Sequence, residues 1–88
     1  MVWSVYILSC SDDTFYVGYS NNVEKRLEVH NSGKGAKYTR SRRPCSLVYS
    51  EPFASKSEAM QREWQLKQLS RAGKQALVEG KRTEPSRD

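Results

Sequence analysis

Residues 4–18 read Ser4-Val5-Tyr6-Ile7-Leu8-Ser9-Cys10-Ser11-Asp12-Asp13-Thr14-Phe15-Tyr16-Val17-Gly18. Two short aliphatic and aromatic runs are joined by a polar link, Ser11 to Thr14. Val, Ile, Tyr and Phe suit a pleated, half-buried surface, so the pattern predicts strand, turn, strand. The Asp and Ser side chains of the link can close the turn on the backbone. Each run carries one tyrosine, Tyr6 and Tyr16. Side chains alternate faces along a strand, so the pairing register decides whether the two phenols meet. They share a face if opposed residue numbers have an even sum and part if the sum is odd; both registers fit the sequence. Gly18 ends the second run, where a missing side chain lets another backbone or a ligand approach.

Working outward, Val2 to Ser9 is almost continuously apolar, as a central strand would be, and Thr14 to Tyr19 is its expected hairpin partner. A helix is expected next, with Ser20, Asn21 and Asn22 as N-cap candidates and Gly33 as its stop. Val23, Leu27 and His30 share one helical face, with Val29 at its edge. Arg26 projects into that apolar arc, where it needs an anion or must snorkel to water. Ser46 to Ser50 reads as a third strand closed by Pro52. Ser55-Lys56-Ser57-Glu58 fits a capping box and starts a second helix. Ala59, Leu66 and Leu69 mark its buried face, widened by Met60 and Trp64. Glu63 and Arg62 intrude on that face, which suggests a helix bordering a cleft. For Glu63 the plain partner is Lys67, four residues on. Ser70 is expected to cap a last short helix to about Val78. The polar, Pro-containing stretch 80–88 is expected to be a disordered tail to a domain spanning 1–79.

The 88 residues are enough for one small domain, with a net charge of +5. The charge is unevenly spread. Residues 1–20 carry no Lys or Arg, whereas the segment Ser32 to Arg43 holds Lys34, Lys37, Arg40, Arg42 and Arg43 with Tyr38 among them. Such a cluster is the electrostatic footprint of a surface that meets phosphate, or a merely solvated face. It is not a P-loop, because the Gly-Lys-Ser/Thr order is absent. The loop is read as phosphate-tracking and as running into a short helix, with Gly33 and Gly35 freeing its backbone to approach a ligand. Tyr38 can stack on a base or pack the loop onto the core. Cys10 and Cys45 are too few for a disulfide scaffold. With His30 as the single histidine and no CxxC, they do not make a zinc site either. They read as reduced thiols of a cytoplasmic protein. There is no membrane-spanning apolar run and no secretory pattern.

These residues carry a resemblance. Ser4-Val5-Tyr6 and Tyr16-Val17-Gly18 resemble the two half-motifs of the GIY-YIG nuclease superfamily, with Ser4 for Gly and Val for Ile in each half. The segment Val23 to His30, with Arg26, resembles the family's helix, whose arginine faces the active site. Glu63 resembles its metal-binding glutamate. Gly33 to Arg40 resembles the short, single-domain, stand-alone branch. The resemblance covers roughly residues 2–78. It agrees with the expected fold class, α+β, a small three-stranded antiparallel sheet flanked by helices in the order β-β-α-β-α-α.

The resemblance implies divalent-metal-dependent cleavage of DNA. Tyr6 is then the candidate base, if a cation brings its pKa down from the ordinary phenol value of about 10. Tyr16 would position water or phosphate, and Arg26 would balance charge on the phosphorane. Glu63 would hold one Mg2+ or Mn2+ mainly through water and substrate oxygens. His30 would orient Tyr6 or the water, or be a satisfied core residue. Lys34, Lys37, Tyr38, Arg40, Arg42 and Arg43 would form the nucleic-acid surface, and a partner protein could supply targeting. Ser4 would narrow the space beside Tyr6. Two other readings stay open: a non-catalytic nucleic-acid-binding module, and a small basic protein docked on a ribosome-like assembly.

Overall fold

The hairpin forms with the even-sum register. Strand β1 (Trp3–Ser9) pairs antiparallel with β2 (Phe15–Ser20), Tyr6 opposite Gly18 and Leu8 opposite Tyr16. Tyr6 and Tyr16 therefore share one face of the sheet. The turn closes as its composition predicts: Thr14 donates to Asp12 Oδ1 through both its hydroxyl, at 2.6 Å, and its backbone N–H, at 3.3 Å. Asp13 takes the left-handed conformation at φ 65°, which Asp tolerates better than most residues.

The computed structural model describes residues 2–80. Strand β3 (Ser46–Phe53) joins the other side of β1, giving the antiparallel order β2-β1-β3. Ile7 faces Tyr49 and Leu8 faces Leu47, so Val48 is an extra residue in a β-bulge. Pro52 does not close this strand, as expected from sequence, but lies within it opposite Ser4. An edge strand tolerates Pro, because one row of its backbone groups has no ladder partner.

Helix α1 (Val23–Asn31) follows the hairpin, with Asn22 Oδ1 accepting from the N–H of Lys25 at 3.1 Å. The basic segment folds into a one-turn helix, α2 (Lys37–Arg40). Helix α3 (Lys56–Lys67) starts at Ser55, whose Oγ accepts from the N–H of Glu58 at 3.2 Å and donates to its carboxylate. Helix α4 (Arg71–Val78) is capped by Ser70, whose Oγ accepts from the N–H of Gly73 at 3.2 Å. Nothing is described beyond residue 80, so nearly all of the expected tail lies outside the described residues. No helix among them is long and apolar enough to cross a membrane.

Each sheet face has its own core. Val5, Ile7 and Val17 pack with Leu66 of α3 and with Leu77 and Val78 of α4. Tyr6 and Leu8 pack on the other face with Cys10, Cys45, and Val23 and Leu27 of α1. Val5, Ile7, Leu8 and Leu66 are fully buried, each contributing on the order of 1.5–3 kcal/mol. Met60 and Trp64 do not widen the buried face of α3; they are 44% and 64% exposed. Arg62 pairs with Glu51 of β3 at 2.9 Å, a helix-to-sheet tie, and does not line the cleft that Glu63 of the same helix borders. The thiols of Cys10 and Cys45 are free and buried, with sulfurs 3.7 Å apart.

Candidate active site

Because β2 is an edge strand, side chains from both sheet faces meet beside it. Together they line a cleft of about 310 Å3. Tyr6 and Tyr16 enter it from the sheet, Arg26 from α1 and Glu63 from α3, with Gly18 at its floor. Four residues singled out for chemistry, spread over 58 positions of sequence, thus converge on one concavity. Trp3, Tyr19 and Lys56 complete its wall. The Trp3 and Tyr19 rings lie 6.1 Å apart, and the ammonium of Lys56 sits 5.5 Å over Trp3. None of these three was singled out from sequence; Trp3 and Tyr19 read there as ordinary strand residues. Ser4 is not among the lining residues.

Gly18 is required by the register. A Cβ there would stand 2.5 Å from the Tyr6 hydroxyl oxygen and 2.7 Å from its Cζ. The phenol lies over the glycine, 2% exposed. Burial first, then Tyr16, pushes the Tyr6 pKa up to about 12, although a hydrogen bond from Arg26 and its charge act the other way. Arg26 alone therefore does not lower the phenol: in the metal-free protein desolvation outweighs it.

His30 stands behind Tyr6 and does not line the cleft. It is fully buried. Its Nε2 lies 3.1 Å from the Tyr6 hydroxyl and its Nδ1 lies 2.8 Å from Thr39 Oγ1. The Tyr16 ring packs edge-on against it, with centroids 5.1 Å apart. Burial, and secondarily Arg26, lowers its pKa below the ordinary 6.5, so the imidazole is neutral at physiological pH.

Glu63 is largely shielded and pairs with Lys67 at 3.5 Å, the plain partner its spacing predicted. Lys67 is half-exposed, so it can release the carboxylate. No group of three or more His, Cys, Asp or Glu side chains is arranged to hold a metal ion among the described residues. One carboxylate facing a polar cleft suits a hard divalent cation that keeps most of its water and substrate oxygens. It does not suit zinc, which takes three or four protein ligands.

The basic segment is less free than its sequence suggests. Arg42 pairs with Asp12 at 3.0 Å, donates to the carbonyl of Tyr38 at 2.8 Å and lies 4.1 Å over the Tyr38 ring. Arg43 donates to the carbonyl of Arg40 at 2.9 Å. Lys34, Lys37 and Arg40 are exposed cations with no ion pair among the described residues. Tyr38 packs against Tyr16, with centroids 5.8 Å apart, which is the packing option for that ring. Gly35 approaches the protein itself: a Cβ there would be 2.4 Å from His30 Nδ1. Arg71 and Lys74, outside the segment read as basic, line a second shallow cleft with Tyr38.

Comparison with known proteins places the chain in one family. Residues 2–76 match the family model of the GIY-YIG catalytic domain. A UPF0213 protein of Bacillus licheniformis is 57% identical over 79 residues, which is 90% of this chain and 81% of the relative. A UPF0213 protein of Natronomonas pharaonis is 60% identical over 74 residues, 84% of this chain and 87% of the relative. Among solved structures, the solution structure of a UPF0213 protein from Bacillus halodurans is similar with a TM-score of 0.58 and 51% identity, covering 90% of this chain and 84% of that one. A protein from E. faecalis is similar with a TM-score of 0.62 and 37% identity, covering 100% of this chain and 94% of that one.

Proposed function

The chain belongs to the GIY-YIG family, and from that premise we propose that it is an endonuclease that hydrolyses DNA phosphodiester bonds in the Tyr6–Arg26–Glu63 cleft. The observation that carries this is the convergence of Tyr6, Tyr16, Arg26 and Glu63 on one concave, polar surface. Glu63 would hold the divalent cation, Mg2+ or Mn2+. When bound, such an ion supplies Lewis-acid stabilisation of phosphate and leaving oxygen.

A phenol held near pKa 12 is a poor free base, but it need not end as phenolate. As water attacks phosphorus, its proton passes to the Tyr6 oxygen while the Tyr6 proton passes to His30 Nε2. The phenol is neutral before and after, and His30 ends as imidazolium. Arg26, with its fixed fork of donors, meets the charge that develops on the phosphorane. That same negative charge favours the imidazolium behind Tyr6. Lys34, Lys37 and Arg40 bind flanking phosphates.

The greater exposure of Tyr16 favours a second reading of the tyrosines. In it Tyr16 takes the water proton directly and Tyr6 holds a phosphate oxygen. Comparing single-turnover rates of Tyr6→Phe and Tyr16→Phe decides between them, the larger loss marking the base. The proposal as a whole is tested on supercoiled, linear, branched and single-stranded DNA and on RNA, with Mg2+ or Mn2+. Cleavage of at least one DNA form is expected, and cleavage of RNA alone would overturn the DNA assignment.

A further inference from the structure

We propose that Thr39 is a positioning residue that locks His30 in the tautomer carrying its proton on Nδ1, leaving Nε2 bare to accept the Tyr6 proton. The inference deepens the reading of Tyr6 and His30 given above and rests on it.

Thr39 is fully buried, although its neighbours Lys37, Tyr38 and Arg40 are exposed. Its Oγ1 lies 3.0 Å from the carbonyl of Ala36 and 2.8 Å from His30 Nδ1. The Ala36 carbonyl, which also accepts from the N–H groups of Thr39 and Arg40 at 3.1 and 3.2 Å, can only accept, and in the arrangement we propose the single hydroxyl proton of Thr39 is directed to it and not to Nδ1. Toward His30 the hydroxyl then offers only a lone pair, and Nδ1 must donate. A neutral imidazole carries one N–H, so Nε2 is an acceptor and the Tyr6 O–H at 3.1 Å donates to it. One backbone carbonyl thereby sets the direction of three successive hydrogen bonds. Burial keeps the ring neutral, so the direction holds at physiological pH.

Gly35 supplies an independent observation. A Cβ at that position would meet His30 Nδ1 at 2.4 Å and His30 Cα at 2.8 Å. The backbone at residue 35 is therefore pressed on the Nδ1 side of the ring, where it leaves that nitrogen to Thr39. The segment most charged in sequence is thus built around the one histidine, and its seating reaches the cleft through that ring.

The test is the 15N spectrum of the histidine ring in the full chain. His30 is the sole histidine, so its two ring nitrogens are assigned without ambiguity. The wild type is expected to show a protonated Nδ1 and a bare Nε2. Thr39→Val, of equal shape but without the hydroxyl, is expected to move the proton toward Nε2, and Thr39→Ser to restore the wild-type pattern. In cleavage, Thr39→Val should lower kcat roughly 10–100-fold with little change in KM, and Thr39→Ser should recover it. A wild-type ring protonated on Nε2 overturns the proposal, whether or not any variant folds. So does an unchanged Nδ1 proton in folded Thr39→Val. The ring spectra need no cleavage, so failure of the nuclease reading would show only in the assay.

Discussion

Tyr6 lies directly opposite Gly18 across the hairpin, with its hydroxyl where a Cβ of residue 18 would be. Two half-motifs ten residues apart are therefore two sides of one contact. Gly18→Ala must displace the phenol from Arg26 and His30. Overpacking of this kind costs about 1–3 kcal/mol. Denaturant unfolding should show that loss, and cleavage should fall with it. An unchanged midpoint together with unchanged cleavage would contradict the contact.

His30 should titrate below the ordinary histidine value of 6.5, because burial and then Arg26 disfavour its charged form. A lowered histidine binds fewer protons folded than unfolded. Stability from this group is therefore present above 6.5 and is lost as pH falls toward the folded value. Proton transfer to the ring needs it neutral, so the acid limb of the cleavage profile should also lie below 6.5. Ring chemical shifts followed against pH check the first point. A midpoint at or above 6.5 would mean that the ring is not desolvated as described.

Arg26→Lys keeps the charge and loses the fork. Removing one preorganised donor to developing charge typically costs about 100–1,000-fold in kcat. A loss of that order is expected in single-turnover cleavage, with DNA affinity nearly unchanged. A wild-type rate in Arg26→Lys would show that a point charge suffices.

The cations of the basic segment should separate into two groups. Replacing Lys34, Lys37 or Arg40 by Ala should each reduce the slope of log affinity against log salt by about 0.7–0.9. Arg42→Ala should instead lower the melting temperature, because Arg42 ties the turn at Asp12 to Tyr38. Equal effects of all four on the salt slope would refute this division.

Much of this was legible in the chain. Strand-forming runs, caps at Ser55 and Ser70, and the arginine inside the apolar arc of α1 follow from spacing and side-chain chemistry alone. Register did not follow, since an even or odd pairing leaves the sequence pattern of the hairpin equally satisfied. Only the Tyr6–Gly18 fit selects between them. Pro52 was misread as a strand end because nothing local tells an edge strand from a central one. Met60 and Trp64 were assigned to the buried face because helical phase alone does not say how wide the sheet beneath it is. Arg42 looked like a free cation because its partner, Asp12, is 30 residues away. Thr39 carried one faint signal, a β-branched residue in a run of long cations.

The most direct test of the central claim is Mg2+-dependent DNA cleavage by three proteins: wild type, Glu63→Ala and Lys67→Ala. The wild type and Lys67→Ala should cleave, and cleavage should stop on chelation, because removing Lys67 only releases the carboxylate of Glu63. Glu63→Ala should fold and bind DNA yet not cleave. Full cleavage by Glu63→Ala would contradict the role of that carboxylate. Salt-sensitive binding without cleavage by any of the three, with either metal, would contradict the nuclease reading and leave a binding module on the same fold.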